Sequence, residues 1–395
     1  MNLVDLLYEY QEYLILAVWL LCLLVYVLVR FPILMLKSKR LVHEALGDSS
    51  EPLSVVVIAH NHGNSLEETL ERIATQDYSG KYEVIVVNDS STDDTADIIQ
   101  RVENRHAHVR HTFTSDTARY MSHFKLAVTL GVRSARHEWI VLTEGDCCPS
   151  SSQWLQTLSA GCDEQHDLVL GYSNFYPVTT LHSRRYAYER FMQQLRWFRA
   201  AIVRKNSKAV GGLMCNMAFR KSLFLRNKGF SAQLHWLGGE DVLFVDTLAD
   251  QGRTGVVIDS RSFMWQQLPV RHQLWATSQL FHAAASQSLS RQGKRERFMW
   301  SLSSWAAWGV LLLGVVWAMR LQPVDVHRFF FSLLPYLAVV IVFVVDVLLF
   351  HRATRLMCQS EIGRLYPLYN LIRPFQHFAF RIQSYRQRRY LMRGI

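Results

Sequence analysis

"EWIVLTEGDCCPSS", residues 138–151, is the stretch on which the reading of this chain turns. An apolar run of strand formers ends in two carboxylates, Glu144 and Asp146, one residue apart. Alternation in a strand puts residues i and i+2 on one side, so both acids would point the same way. Like charges held that close repel unless a cation or a shared proton sits between them. Two readings stand at this point. One is a solvated strand end before a turn at Pro149, Ser150 and Ser151; the other is a site built to hold something positive.

Upstream, the chain repeats a pattern of strand, loop and helix. "LSVVVIAH" (53–60) is a β-branched run read as a buried strand. "NHGNSLEETLERIATQ" (61–76) follows as loop and helix, with Ser65 as N-cap, Glu68 completing a capping box, and Leu66, Leu70 and Ile73 as the apolar stripe. "YEVIVVND" (82–89) is a second strand ending in acid, and "SSTDDTADIIQRVEN" (90–104) a second helix behind its own N-cap cluster. A short strand, "HVRHTFT" (108–114), and a helix, "SHFKLAVTLGVRSAR" (122–136), lead into the opening stretch. Strands alternating with helices predict an α/β domain with a mostly parallel sheet. Ligands of such sheets bind at the carboxyl ends of the strands. His60 and Asn61, Asp89, then Glu144 and Asp146 occupy three successive ends, and that repetition defines a site.

Downstream, about 152–290, the pattern is less regular. "RYAYERFMQQLRWFRAAIVRK" (185–205) reads as an aromatic and basic helix in the core or against a membrane. "WLGGEDVLFVDTLADQG" (236–252) places Glu240 and Asp241 behind two glycines at a helix start. Acids in a first turn often only complement the helix dipole, but the glycines let a backbone or ligand come close beside them. The histidines of "HAHVRH" (106–111) have a spacing that suits no common metal site, so they are read as surface.

Composition sets the surroundings. Over 395 residues, 50% are hydrophobic and 19% charged, and the apolar excess collects at the two ends. "YLILAVWLLCLLVYVLV" (13–29, extended by "ILML"), "FMWSLSSWAAWGVLLLGVVWAM" (298–319) and "FFFSLLPYLAVVIVFVVDVLLF" (329–350) each approach the roughly 20 apolar residues that span a bilayer. The first has acids rather than basic residues ahead of it, so it reads as an uncleaved anchor and not a signal peptide. Basic residues follow the first span, precede the second as "RQGKRER" (291–297) and crowd the tail, which puts the middle domain and C-terminus on the cytoplasmic side. The expected organisation is an anchor over 1–40, a cytoplasmic α/β domain over 50–290, two spans over 297–351 and a basic tail over 352–395. Asp346, the acid of the third span, is read as interfacial with Arg352 near it.

A net charge of +10 is accounted for by this topology and by attraction to anionic membrane lipids. No zinc spacing, RNA-binding signature or helix-turn-helix cue is present, so nucleic acid is not expected as a partner. Six cysteines without a C-x-x-C spacing, two of them adjacent (Cys147 and Cys148), indicate reduced thiols.

The ordered set "VVVIAHNHGNSLEETLERI", "VIVVNDSSTDDT", "SHFKLAVTLGVRSARHEWIVLTEGDC", "GGLMCNMAFRKSLF" and "GGEDVLF" resembles the family-2 glycosyltransferases, and more narrowly membrane-anchored bacterial members that build surface or extracellular glycans. The resemblance covers about residues 50–290 and extends to the flanking spans. It implies a GT-A fold, a nucleotide-sugar donor such as a UDP-sugar, Mg²⁺ or Mn²⁺, and inversion at the anomeric carbon. It puts Ala59, His60 and Asn61 in the loop beside the base, Asp89 on the uracil or ribose, and Lys125 near the nucleotide. Glu144 and Asp146 fall on the metal-binding D-x-D signature and Asp241 on the general base. Glu240, Gln279 and Trp275 fall on the acceptor side. Its setting would be the bacterial inner membrane, its acceptor a lipid-linked molecule or glycan, and its company a glycan-assembly complex.

Two departures are visible. Glu144 replaces the first Asp of the signature, and "WATSQLFHAA" (275–284) has His282 and Ala283 where polymerising members carry Arg and Trp of a Q-x-x-R-W motif. "QLRW" (194–197) has the right letters but precedes "GGED" and is set aside. Single-sugar transfer is therefore expected rather than processive synthesis. The alternative is a non-catalytic nucleotide-binding membrane component of a glycan-assembly complex, which would have no need of "GGED".

Overall fold

The computed structural model describes residues 3–30, 50–115, 122–176, 180–202, 208–268, 272–320, 326–359, 362 and 366–391. Helix α1 (Leu3–Arg30) comes first. The α/β unit opens with β1 (Leu53–Ala59), α2 (Leu66–Ala74), β2 (Tyr82–Asn88), α3 (Thr95–Arg105), β3 (Val109–Phe113), α4 (His123–Ser134) and β4 (Trp139–Glu144). It continues through β5 (Cys147–Pro149), α5 (Trp154–Ser159), β6 (Leu168–Gly171), β7 (Ser173–Phe175), α6 (Leu181–Ile202), β8 (Met217–Arg220) and α7 (Lys221–Arg226). It closes with α8 (Glu240–Gln251), β9 (Thr254–Val257), β10 (Met264–Gln266) and α9 (His272–Ala285). Then come α10 (Arg291–Arg320), α11 (Val326–Leu356), α12 (Tyr366–Arg386) and α13 (Arg388–Leu391).

Seven strands form the main sheet in the order β3-β2-β1-β4-β8-β6-β9. β3, β2, β1 and β4 run parallel, while β8 is antiparallel to both neighbours. The β-branched runs read from sequence supply the parallel half, and their alternation fills two cores. Val56, Ile58, Ile85, Val87, Ile140 and Leu142 face α4. Val55, Val57, Val84, Val86 and Val141 face α2, α3 and α5. Full burial of one such side chain contributes about 1.5–3 kcal/mol. The chain leaves β1 toward β2 and β3, then returns to β4 on the other side of β1. Such a reversal opens a crevice at the carboxyl ends of the two strands, and β1 and β4 meet there at the pair Ile58 and Glu144.

Local details differ from expectation. β4 stops at Glu144, and Gly145–Asp146 is a turn whose Gly145 N–H donates to Ile58 O at 2.8 Å. Strand alternation therefore does not fix the direction of Asp146. Ser65 stands at the N-cap of α2 but makes no side-chain cap bond, so the expected capping box does not close. Ser122, by contrast, caps α4 by accepting from Lys125 N. A small second sheet, β5-β10-β7, follows the turn and was not anticipated.

Among the described residues two helices are long and apolar enough to cross a membrane, over Tyr13–Arg30 in α1 and Arg291–Val316 in α10. They pack together: Trp19 Nε1 donates to Val310 O at 3.1 Å, and Arg30 donates to Ser303 and Ser304 at 3.2 and 3.0 Å. The "ILML" extension of the first span lies outside the described residues, and the third expected span falls in α11. Asp346 is buried among helices, and it accepts from Tyr26 of α1 and, at 2.6 Å, from Asn370 of α12. A carboxyl surrounded by helices needs such partners, and here they tie three helices together.

Candidate active site

The parallel register sets the ends of β1, β2 and β4 side by side, with Ala59 opposite Asn88 and Ile58 opposite Glu144. Ala59 is buried, and its carbonyl accepts from Asp89 N at 2.8 Å. His60 Nδ1 lies 2.6 Å from Asp89 O. Asn61 adopts a left-handed φ of 55°, which its short amide tolerates, and its Oδ1 accepts from Thr92 N at 2.8 Å. The Asp89 carboxylate is buried, taking a hydrogen bond from Thr114 Oγ1 at 2.8 Å and lying 3.6 Å from His123 Nδ1. Ala59, His60, Asn61 and Asp89 therefore share one sheet edge.

The two acids of the opening stretch flank the adjoining turn. Asp146 accepts from Gln266 Nε2 at 3.1 Å on each oxygen. Burial, and then the facing charge of Asp146, push the Glu144 carboxyl well above its ordinary range. Beside the same turn, His62 Nδ1 is buried without a hydrogen-bond partner among the described residues. Among the described residues no three His, Cys, Asp or Glu side chains already converge as a metal site. Mg²⁺, however, is commonly held by one or two carboxylates together with substrate phosphates. Glu144, held high by burial and by Asp146 despite the opposing charge of Arg190, fits a cation shared in that way.

Asp241 stands in the first turn of α8, on the wall of a cavity of about 450 Å³ that Glu144 also lines. Its Oδ2 lies 3.1 Å from His282 Nε2, and His282 Nδ1 lies 3.1 Å from Gln193 Nε2. Burial alone would raise this carboxyl. His282, the Val242 N–H and Arg190 more than offset that and hold it below the ordinary aspartate range. Trp275 and Tyr186 line the same cavity with rings stacked 4.6 Å apart, and Gln279 lies on its wall. The glycines before Glu240 serve packing: a Cβ on Gly238 would sit 2.5 Å from the Phe281 ring, and one on Gly239 2.6 Å from Ala285 Cβ. Gly239 also takes a φ of 75°. What approaches these glycines is α9, and that approach brings His282 to Asp241.

Neighbouring Glu240 reaches other partners, accepting from Ser122 Oγ at 3.0 Å and lying 3.8 Å from Lys125 Nζ. Burial raises its carboxyl, with Lys125 opposing. Lys125, expected near the nucleotide, is fully buried, and its ammonium donates to Gln233 O at 2.8 Å and to Trp236 O. It anchors the loop that leads to Glu240 and Asp241.

Several site residues escaped the sequence. Arg190 donates to Gln266, which holds Asp146, and to Ser173 Oγ and Cys215 Sγ at 3.2 and 3.1 Å. Tyr186, Arg190 and Gln193 all come from α6, and their spacing along one helix face was the available signal. α6 is a core helix, as read, but its other face builds the cavity.

Residues 54–226 match the family model described as Glycosyl transferase family 2. That match covers less than half of the chain; it includes Glu144 and Asp146 but ends before Asp241. The mannosyltransferase PcManGT from Pyrobaculum calidifontis, in complex with GDP-Man and Mn²⁺, has a similar fold at 17% identity and a TM-score of 0.50, over 90% of this chain and 99% of that one. S. aureus TarS 1–349 is similar at 16% identity and a TM-score of 0.44, over 80% and 91%. Its complex with UDP-GlcNAc gives 15% identity and 0.42, over 80% and 92%. No curated protein matches the chain in sequence.

Proposed function

We propose that the protein is an inverting glycosyltransferase that moves a sugar from a nucleotide-sugar donor, a UDP-sugar first among them, to a hydroxyl of a membrane-associated lipid or glycan. The observation that carries this reading is the Asp241 carboxylate, kept anionic by His282 on the wall of a cavity that Glu144 also lines. The nucleoside lies over the ends of β1 and β2, where His60, Asn61 and Asp89 offer polar groups to base and ribose.

Glu144 and Asp146 would hold a Mg²⁺ or Mn²⁺ ion, which supplies positive charge to a departing diphosphate. Arg190 fixes the site through Gln266 and adds a permanent cation. Asp241 takes the proton of the acceptor hydroxyl. The oxygen so freed bonds to the anomeric carbon from the face opposite the diphosphate. The bond from that carbon to the diphosphate oxygen breaks, and its electron pair leaves with the nucleoside diphosphate. General-base assistance of this kind is worth about 10²–10⁴-fold. The Tyr186–Trp275 stack gives the acceptor an aromatic face to lie on. The apolar helices α1 and α10, with "RQGKRER" ahead of the second span, support a seat in the bacterial inner membrane with the catalytic domain cytoplasmic.

Incubating the detergent-solubilised protein with nucleotide sugars, Mn²⁺ and a membrane lipid extract tests this. Release of nucleoside diphosphate that depends on the extract supports the reading. Tight UDP binding without release from any donor supports the non-catalytic alternative instead.

A further inference from the structure

A second cavity, of about 590 Å³, lies between the start of α10 and α12. Arg196, Lys294, Arg297, Arg373 and Arg381 line it, and among the described residues no Asp or Glu does. Glu189 pairs with Arg373 at 2.9 Å and His377 at 3.1 Å, so Arg373 alone of the five is already neutralised, and Glu296 pairs with Arg199 at 3.3 Å. Among the described residues no carboxylate forms an ion pair with Arg196, Lys294, Arg297 or Arg381. Burial, with Arg297 and Arg373 facing it, pushes Arg196 down to about 9, and the charges of Glu296 and Glu189 only partly oppose this. Trp300 and Gln287 line the same space, and the indole Nε1 and amide Nε2 are buried without hydrogen-bond partners among the described residues.

The remaining wall is of a different kind. Phe298, Leu302, Trp305, Phe378 and Tyr385 are all exposed on it, Phe298 by 62%, and the first three belong to the apolar helix α10. A soluble anion makes no use of such a wall, whereas a lipid uses both halves. A narrow space of about 40 Å³ continues inward, sharing Arg196, Arg297, Arg373 and His377 with this cavity. It shares Gln193, Gln279 and His282 with the catalytic one.

We propose that this cavity binds the phosphate or pyrophosphate group of a lipid, with the lipid chain along Phe298, Leu302, Trp305 and Phe378, and that this lipid is the acceptor whose free end reaches Asp241. The acceptor role rests on the transferase reading of the catalytic cavity; the binding site does not. Arginine forks suit phosphate oxygens in number and geometry, and basic pockets between membrane helices are a recurring form of headgroup recognition.

The test is equilibrium binding to the full-length protein in neutral detergent, with farnesyl phosphate, farnesol and inorganic phosphate as probes. Farnesyl phosphate should bind roughly tenfold or more tightly than farnesol, with inorganic phosphate a poor competitor. Arg297→Gln and Arg381→Gln should each weaken farnesyl phosphate by about tenfold and leave farnesol unchanged. Arg381 is exposed, so its variant keeps the test alive if Arg297→Gln does not fold. Equal binding of alcohol and phosphate, or arginine variants of unchanged affinity, would overturn the site. Inorganic phosphate binding as tightly as farnesyl phosphate would overturn the lipid as ligand. UDP binding is measured on the same wild-type preparation: phosphate-selective lipid binding without UDP binding upholds this site and overturns the transferase reading. The reverse pattern overturns this site alone.

Discussion

His282 Nε2 stands 3.1 Å from Asp241 Oδ2, while Nδ1 on the other side of the ring faces Gln193 Nε2 at the same distance. As oriented, the Gln193 amide donates to Nδ1, which leaves Nε2 to carry the proton that Asp241 accepts. Two elements distant in sequence, α6 and α9, thus fix one carboxylate of α8. The acid limb of transfer should lie below the ordinary aspartate value of about 3.9, because the folded carboxyl is held lower than that. His282→Ala leaves burial unopposed by its main partner, so the limb should move to higher pH. A kcat/KM profile against pH for wild type and variant reads this directly, and superimposable profiles would remove His282 from the account.

The carboxylate pair predicts a metal dependence that can be separated from folding. Asp146→Asn should lose the Mn²⁺-dependent part of UDP binding. Glu144→Asp should retain or improve turnover, since the shorter carboxylate relieves crowding in the buried turn. Titration of UDP with and without Mn²⁺ is the measurement. UDP affinity in Asp146→Asn that still rises with Mn²⁺ as in wild type would count against both assignments.

Lys125 offers a contrast between two roles. If its ammonium anchors the Gln233–Trp236 loop, Lys125→Met leaves buried carbonyls unpaired, at a cost on the order of 1–3 kcal/mol. The melting temperature should fall while UDP affinity stays at the wild-type value. A collapse of UDP affinity at unchanged melting temperature would return Lys125 to the nucleotide, where the family resemblance puts it.

Docking of α12 depends on Glu189, which is 6% exposed and pairs with Arg373 at 2.9 Å and His377 at 3.1 Å. Burial opposes its charge, but Arg373 and then His377 bring the carboxyl down to about 2. A depressed folded value contributes stability that is present above the unfolded value of about 4.3 and disappears as pH falls toward the folded one. Glu189→Gln strands a buried arginine, and losses of roughly 3–5 kcal/mol are usual for breaking such a pair. Denaturation midpoints between pH 2 and 7 should show a wild-type decline below about pH 4 that the variant lacks. Parallel curves would show that the pair adds nothing.

What could be read from residues alone follows from range. β1, β2 and β4 were legible because "LSVVVIA", "YEVIVVN" and "WIVLTE" are uninterrupted apolar runs, and their shared ends brought His60, Asp89 and Glu144 to one edge. "GGED" was legible as a helix start. The tasks of its glycines were not, because they depend on Phe281 and Ala285 some 40 residues on. Lys125 reads from sequence as a helix residue that the family resemblance puts near the nucleotide; only the folded chain brings it to carbonyls 108 and 111 positions away. α6 mixes a core face of Tyr188, Phe191 and Leu195 with a cavity face of Tyr186, Arg190 and Gln193, and composition averages the two. Its "QLRW", set aside as misplaced, contributes Arg196 to the second cavity. β5, β10 and β7 are three residues each, too short for any periodic signal.

The most direct test of the central claim is Asp241→Asn. The substitution keeps the size of the side chain and an oxygen for His282 but removes the proton acceptor. Because His60, Asn61 and Asp89 lie on other strand ends, UDP binding should be unchanged. Transfer to acceptor, measured as nucleoside diphosphate released, should fall by roughly 10²–10⁴-fold, the usual worth of a general base. Wild-type transfer by Asp241→Asn, or a larger loss in Glu240→Gln than in Asp241→Asn, would contradict the assignment of the base.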